Sequence, residues 1–194
     1  MAMTNEELMQ ILTETGAYQS GHFKLSSGLH SGNYIQCSQL LKFPRIAEKV
    51  CAEIGELFKD ENIEMVVGPA IGGILVAYEV GRALNVPAIF AERENGVMTL
   101  RRGFHVEPGT RCVVTEDVLT TGGSAQEVVE LLQSKGAEVV AATSIIDRTP
   151  GNTIKLKVPF KSLIQLSFPT HNPEECPMCK EGMPIQKPGS RPGI

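Results

Sequence analysis

The stretch CVVTEDVLTTGGS, residues 112–124, decides the fold of this chain. It opens with apolar and β-branched residues, which favour a buried strand. Two adjacent acids, Glu116 and Asp117, stand at the end of that strand, and two glycines then lead into a helical pattern over residues 124–134. A buried strand joined to a helix by a short glycine turn is typical of βαβ units. The stretch therefore predicts an α/β fold with a mainly parallel central sheet flanked by helices.

The polar residues of the same stretch suit a sugar phosphate. Glycines let the backbone approach an oxyanion, and the free N–H groups at the start of a helix point towards it. Thr120, Thr121 and Ser124 add hydroxyl donors, while carboxylates accept hydrogen bonds from the vicinal hydroxyls of a sugar. Acids followed at once by a phosphate cradle predict a ribose 5-phosphate site, whereas the dinucleotide fingerprint has its glycines first. The alternative is a strand-to-helix loop whose acids only cap the helix.

Three further apolar runs alternate with helical patterns, at residues 63–67, 86–91 and 137–146. In sheets built from such units, ligands bind beyond the carboxyl ends of the strands. We therefore expect four segments to surround one cleft: residues 68–73, 92–103, 116–123 and 147–151.

The N-terminal part of the chain has a different pattern. A helix is predicted over residues 4–17, because Thr4 and Glu7 have the spacing of a capping box. Two short strands around a glycine-containing loop are predicted over residues 22–38. Pro44 then opens a second helix.

Composition excludes several classes of protein. The 194 residues carry a net charge of -4, which argues against a protein that coats nucleic acid. No apolar run has the length of a membrane span, and no secretory signal is visible, so we expect a cytoplasmic protein. Cys37, Cys51 and Cys112 are isolated, which indicates small buried residues in a reducing compartment.

Residues 112–124 resemble the phosphoribosyl pyrophosphate signature of type I phosphoribosyltransferases. The resemblance implies the fold of that family, in which a small N-terminal hood accompanies a mainly parallel sheet. It also implies that Glu116 and Asp117 bind the ribose hydroxyls. The residues that would bind the remainder of the sugar phosphate are Val118, Leu119, Thr120, Thr121, Gly122, Gly123 and Ser124.

The organisation that follows is a single domain over residues 1–194. It consists of an N-terminal helix and hood over 1–42, an α/β core over 43–168 and a tail over 169–194. The tail is rich in Pro and Gly, so we expect little regular structure there and a disordered end after Lys187.

Two segments are similar to the orotate branch of the family. The segment GHFKLSSG, residues 21–28, is similar to the hood over orotate, and the match assigns Phe23 and Lys24 to that substrate. It departs from better-studied members at Ser26, where they have lysine. Arg148 matches the arginine that holds the orotate carboxylate as a bidentate fork. Thr120 would touch the same carboxylate, and a surface ion pair is the alternative for Arg148.

Two further segments are similar to the pyrophosphate site. The segment GPAIGG, residues 68–73, resembles the pyrophosphate loop, with Gly72 where better-studied members have lysine. Residues 93–105 resemble the mobile loop that reaches across a dimer and folds over pyrophosphate, and a solvated charged loop is the alternative. Arg93 and Arg101 are assigned to phosphoribosyl pyrophosphate. The basic role of the missing lysines is expected to pass to Arg101, Arg102 or Lys24.

The implied reaction replaces pyrophosphate at the anomeric carbon by N1 of orotate. Asp117 would stabilise positive charge on the ribose and Arg93 negative charge on the leaving group, so both are catalytic candidates. Mg²⁺ is the implied cofactor, bound mainly through the substrate with no direct protein ligand, and a homodimer with shared active sites is implied. Two other hypotheses remain: a transferase for another base, with Phe160 or Phe168 stacked on a purine, and a non-catalytic sensor of phosphoribosyl pyrophosphate.

Cys176 and Cys179 form a CxxC motif in the tail. They have the spacing of half a zinc site, and His171 is a possible third ligand. Two reduced thiols or a local disulfide are the alternatives.

Overall fold

The computed structural model describes residues 2–149 and 156–188. Its main sheet has the strand order β5-β4-β3-β6-β7-β8. All neighbours run parallel except β4 and β5, which are antiparallel. This confirms the predicted α/β fold. The strands are β3 (Met65–Pro69), β4 (Ala88–Glu94), β5 (Val97–Leu100), β6 (Arg111–Leu119), β7 (Glu138–Asp147) and β8 (Phe160–Gln165).

Helices bury both faces of this sheet. Helices α3 (Pro44–Glu56) and α4 (Gly72–Leu84) pack on one face, and α5 (Gly123–Ser134) packs on the other. Val113 and Val114 are consecutive in β6, yet they belong to the two different cores, because side chains alternate across a strand. The sequence of a strand that is buried on both faces is a continuous run of apolar residues. In the described part of the chain, none of the helices has the length and apolarity to cross a bilayer.

The hood is a second, three-stranded sheet with the order β1-β2-β9. It contains β1 (Tyr18–Lys24), β2 (His30–Ile35) and β9 (Thr170–His171), and it adjoins helices α1 (Asn5–Glu14) and α2 (Ser38–Leu41). The predicted capping box at Thr4 is confirmed, although α1 ends three residues earlier than the pattern over residues 4–17 suggested. The prediction of two strands around a loop is also confirmed.

The described part of the tail contains little regular structure, as expected, but it packs against the hood in a defined way. Strand β9 pairs with β2, and α6 (Pro177–Lys180) follows. The Gln186 N–H donates to the His22 carbonyl and its own carbonyl accepts from Lys24, both at 2.8 Å. The backbone groups of a short Pro-rich segment can form hydrogen bonds with the edge of a neighbouring strand. No periodic pattern in the sequence predicts such pairing. The disordered end predicted after Lys187 lies outside the described residues, except for residue 188, and so does Gly151.

The span 93–105 was predicted to be one long loop, and this is wrong for its first half. Strands β4 and β5 form a hairpin with Glu94 opposite Val97. Asn95 and Gly96 form its two-residue turn with φ of 52° and 83°, the backbone of a type I′ turn. The Asn-Gly pair was a hairpin signal in the sequence that the loop interpretation overlooked.

Candidate active site

Strand β6 carries the acid pair to the carboxyl edge of the sheet. Burial, together with the neighbouring charge of Asp117, raises the pKa of Glu116 to about 8. Burial also raises the pKa of Asp117, although the Val118 N–H donates to its Oδ1 at 2.9 Å and opposes the shift. Within residues 2–149 and 156–188, neither carboxylate takes part in an ion pair. Half-buried carboxyl groups without an ion-pair partner can accept hydrogen bonds from sugar hydroxyls, and such bonds would favour their ionised form.

The predicted phosphate cradle lies directly after the acids. Gly122 has a φ of 76° and caps α5, and no described side chain caps the helix in its place. The Gly123 N–H donates weakly to the Thr121 hydroxyl at 3.4 Å, and Thr120 and Thr121 are exposed. The first N–H groups of α5 therefore point out of the protein, where an anion can accept from them.

The predicted pyrophosphate loop packs against the acid pair. It connects β3 to α4 and contains a cis peptide bond between Ala70 and Ile71. A Cβ atom on Gly72 would lie 2.6 Å from Asp117 Oδ1. Gly73 is equally constrained, since its Cβ would lie 2.9 Å from the Thr115 carbonyl oxygen. In this arrangement a lysine at position 72 would collide with Asp117, which is a physical reason for the glycine found there.

Arg148 is held at the same edge of the sheet. Its N–H donates to the Leu119 carbonyl at 2.8 Å, and its guanidinium lies 5.0 Å from the centre of the Phe168 ring. Burial lowers the pKa of Arg148. Its buried Nε has no hydrogen-bond partner among the described residues. A half-buried cation with an unused donor favours a carboxylate ligand, so the surface ion pair considered for Arg148 does not describe its environment.

Hood residues reach the neighbourhood of Arg148. Burial raises the pKa of Tyr34, and the nearby charge of Arg148 opposes that shift. The Tyr34 ring lies 5.6 Å from the ring of Phe23, which is buried. Phe23 thus supports Tyr34 from within the hood. The Lys24 N–H is bonded to the Gln186 carbonyl, while its side chain is exposed.

The arginines of the hairpin are all paired with carboxylates. Arg93 contacts Glu127 of α5 at 2.7 Å, and this hydrogen bond raises the pKa of Arg93. Arg101 lies 3.4 Å from Glu94 and Arg102 lies 3.0 Å from Glu92. Exposed pairs of this kind stabilise a protein by only about 0–1 kcal/mol. An anionic ligand can therefore replace these acids at low cost.

Three of the four predicted segments are joined by these contacts. Gly72 meets Asp117, and Leu119 bonds to Arg148, while the hairpin is linked to the start of α5 through Glu127. The sequence analysis missed Glu127, since an acid on an exposed helix face has no distinguishing pattern. It also assigned Phe168 only to a purine, whereas the ring packs under Arg148.

The phosphoribosyl transferase domain model matches residues 36–171 of the chain. The crystal structure of orotate phosphoribosyltransferase from Aeropyrum pernix is similar, with a TM-score of 0.69 and 29% identity, over 82% of this chain and 93% of that one. Fold and site together define a type I phosphoribosyltransferase.

Relatives that match nearly the whole chain identify the family within this class. The orotate phosphoribosyltransferase of Thermotoga maritima is 53% identical over 184 residues, which cover 95% of this chain and 98% of that protein. The orotate phosphoribosyltransferase of Caldicellulosiruptor bescii is 48% identical over 189 residues, which cover 97% of this chain and 99% of that protein. The chain belongs to the orotate phosphoribosyltransferase family.

Proposed function

We propose that the chain transfers the ribose 5-phosphate of phosphoribosyl pyrophosphate to N1 of orotate. The products are orotidine 5′-monophosphate and pyrophosphate, a step of pyrimidine biosynthesis. The observation that carries the choice of base is Arg148, whose half-buried guanidinium lies beside the ribose-phosphate segment with an Nε donor that no described residue uses. Orotate is a pyrimidine with a carboxylate, and guanidinium pairs with carboxylate in a planar fork.

Glu116 and Asp117 are proposed to hold the ribose. Their carboxylates would accept hydrogen bonds from the two ring hydroxyls, while the 5-phosphate binds the cradle and the first N–H groups of α5. Asp117, which is closest to the pyrophosphate loop, would stabilise positive charge that develops at the anomeric carbon. Charge placement of this kind is strong at a site that is shielded from water.

The nucleophile needs little help from the protein. Orotate N1 can attack as an anion, so no strong general base is required at this site. Arg148 and Thr120 would instead fix the orientation of the ring, which lowers the barrier by positioning.

Arg93 and Arg101 are proposed to bind the leaving pyrophosphate by exchanging their present carboxylate partners for it. The half-buried acid pair offers too few ligands for a magnesium site built from protein groups alone, so Mg²⁺ would be held mainly by the substrate. When bound, it would supply positive charge against the departing pyrophosphate.

A homodimer with shared sites is supported by the outer face of α4. Ile71, Leu75 and Tyr78 are 85%, 50% and 65% exposed, and they follow one another at helical spacing. An exposed apolar stripe beside the pyrophosphate loop suits a second copy of the chain, which would bring its own groups close to the site. The cytoplasmic location stays a proposal, and the five cysteines, none of which forms a disulfide, are consistent with it.

A substrate survey tests the proposal. The purified protein is incubated with phosphoribosyl pyrophosphate, Mg²⁺ and, separately, orotate, uracil, adenine, guanine and hypoxanthine, and loss of each base is followed. Consumption of orotate alone is expected. Preference for a purine would overturn the assignment of Arg148, and no consumption of any base, with phosphoribosyl pyrophosphate still bound, would favour a sensor over an enzyme.

A further inference from the structure

Four side chains that can bind a metal meet where the tail packs against the hood. Nitrogen atoms of His22 and His30 and the sulfurs of Cys176 and Cys179 all lie within 4.8 Å of one another. The histidines come from β1 and β2, while Cys176 immediately precedes the short helix α6 of the tail and Cys179 lies within it. We name these four residues the hood–tail cluster. His171, the third ligand considered from the sequence, is not a member, although it pairs with His30 across the sheet.

The distances within the cluster match a tetrahedral metal site. A tetrahedral Zn²⁺ with bonds of about 2.05 Å to nitrogen and about 2.3 Å to sulfur holds two nitrogens about 3.3 Å apart and a nitrogen and a sulfur about 3.6 Å apart. In the structure His22 Nε2 lies 3.0 Å from His30 Nδ1. The sulfur of Cys176 lies 3.5 Å from His22 Nε2, and the sulfur of Cys179 lies 3.6 Å from His22 Nε2 and 3.3 Å from His30 Nδ1.

A hydrogen bond orients His22 for coordination. Its Nδ1 lies 2.9 Å from the Met183 carbonyl oxygen. A carbonyl only accepts, so Nδ1 carries the proton, and a neutral ring then turns the lone pair of Nε2 into the cluster. Histidines that bind metals are held in the same way by a partner on the other ring nitrogen.

The local backbone places both sulfurs on one side. Cys176 precedes α6, whose first residue is Pro177, and the Lys180 N–H donates to the Cys176 carbonyl at 3.2 Å. This tight turn gives the two cysteines the spacing found in zinc-binding CxxC motifs. Cys176, His22 and His30 are buried, whereas Cys179 is exposed, which leaves a path for a metal to enter.

We propose that His22, His30, Cys176 and Cys179 form a structural zinc site that fastens the tail to the hood. Two thiolates neutralise the charge of Zn²⁺, and the four ligands complete its coordination, so the site is closed to substrate and has no catalytic position. A local disulfide would use both sulfurs but would give no reason for two histidine nitrogens to face them. The inference does not depend on the proposed reaction.

Metal analysis of protein purified without chelators is the first test. About one zinc per chain is expected. Protein stripped of metal should take up one Co²⁺ per chain and show the intense thiolate-to-cobalt absorption of a tetrahedral site, which zinc then displaces. If the stripped protein binds neither metal stoichiometrically, or if thiol titration finds Cys176 and Cys179 oxidised in the native protein, the proposal is overturned.

A matched pair of variants locates the metal. His30→Gln should reduce bound zinc from about one per chain to nearly none, whereas His171→Gln, its neighbour across the sheet, should keep the full amount. Cys179→Ser provides the same test at an exposed position that folding tolerates more easily. Equal zinc content in His30→Gln, Cys179→Ser and the wild type would place the metal elsewhere and reject this site, and the cobalt spectrum of the wild type decides if a variant does not fold.

Discussion

The phosphate-binding segment and the hood–tail cluster are assembled in opposite ways. Residues 112–124 supply the acid pair and the phosphate cradle from one continuous stretch of chain. The cluster joins two ends of the molecule, with Cys176 and His22 separated by 154 positions. A continuous site needs only a strand, a turn and a helix, while a discontinuous one exists only after the tail has packed on the hood. The two regions should therefore respond differently to mutation.

The largest effect is expected at the acid pair. Asp117→Asn should lower kcat by about 10²–10³-fold, because it removes the charge that stabilises the transition state. The fold should be preserved, since the amide has the same shape. Steady-state kinetics and circular dichroism measure both properties, with Asp60→Asn on the exposed surface as the matched control. Turnover close to wild type in Asp117→Asn would sink the catalytic role.

Arg148→Ala is expected to act on one substrate only. The KM for orotate should rise about 10²-fold, which corresponds to about 2.7 kcal/mol of lost binding, while the KM for phosphoribosyl pyrophosphate changes far less. Arg82→Ala removes an exposed arginine of α4 and is the control. A similar rise for both substrates would show that Arg148 does not recognise orotate specifically.

Gly72→Ala tests the contact between the pyrophosphate loop and the acid pair. The new Cβ would lie 2.6 Å from Asp117 Oδ1, so either the loop or the acid must move. Kinetics should show a loss of about tenfold in kcat, as expected for a modest displacement of a catalytic group. Gly32→Ala is the control, since its Cβ would meet Met178 Sδ at an ordinary 3.7 Å. Unchanged kinetics in Gly72→Ala would mean that the loop adopts another conformation during catalysis.

Loss of the proposed metal should destabilise the hood and the tail but leave the phosphate-binding segment unchanged. In Cys179→Ser we expect a drop of about 2 kcal/mol in unfolding free energy, or about 4–8 °C in Tm, because the tail is no longer tied to the hood. Hydrogen exchange should accelerate at the backbone pairs of Lys24 and Gln186. The KM for phosphoribosyl pyrophosphate should stay near wild type, since the cradle is built by β6 and α5. Faster exchange in the cradle as well as in the hood would contradict this separation.

The last prediction concerns the pH dependence of stability. The pKa of Glu116 is about 8 in the folded chain, against an ordinary 4.5. Between these values the folded chain keeps a proton that the unfolded chain has lost, so the unfolding free energy falls as pH rises. The contribution is no steeper than about 1.4 kcal/mol per pH unit. Glu116→Gln should flatten the slope in urea titrations from about pH 5 to about pH 8, and an unchanged slope would assign it to another group.

Sequence patterns predicted most of the core and of the ribose-phosphate site. Strands β3, β4, β6 and β7 were recognised because they are buried on both faces and lie between turn residues. Strand β8 was missed, since its side chains are mostly half-buried and mixed in character. Strand β5 was missed because a charged segment was interpreted as a loop in spite of its Asn-Gly turn.

Residue type and order in the chain were sufficient to predict the part of the site that a single continuous segment forms. Glu116, Asp117 and Gly122 could be placed from their neighbours alone, because adjacent residues on a strand and a helix start have fixed relative positions. Arg93 was assigned from resemblance, but its pairing with Glu127 depends on how β4 and α5 pack. The need for a glycine at position 72 could not be predicted either, because it arises from a close approach to Asp117. Gly72 follows β3, whereas Asp117 lies on the neighbouring strand β6.

The sequence by itself determined the parallel sheet, the acid pair and the phosphate cradle, because local periodicity and turn chemistry act over a few residues. Tertiary structure alone decided that the buried Nε of Arg148 has no partner among the described residues, and that the CxxC of the tail meets His22 and His30 rather than His171. Those outcomes depend on which strand edges pair and on which side chains are then shielded from water. Such long-range packing leaves no regular spacing in the chain from which it can be recognised.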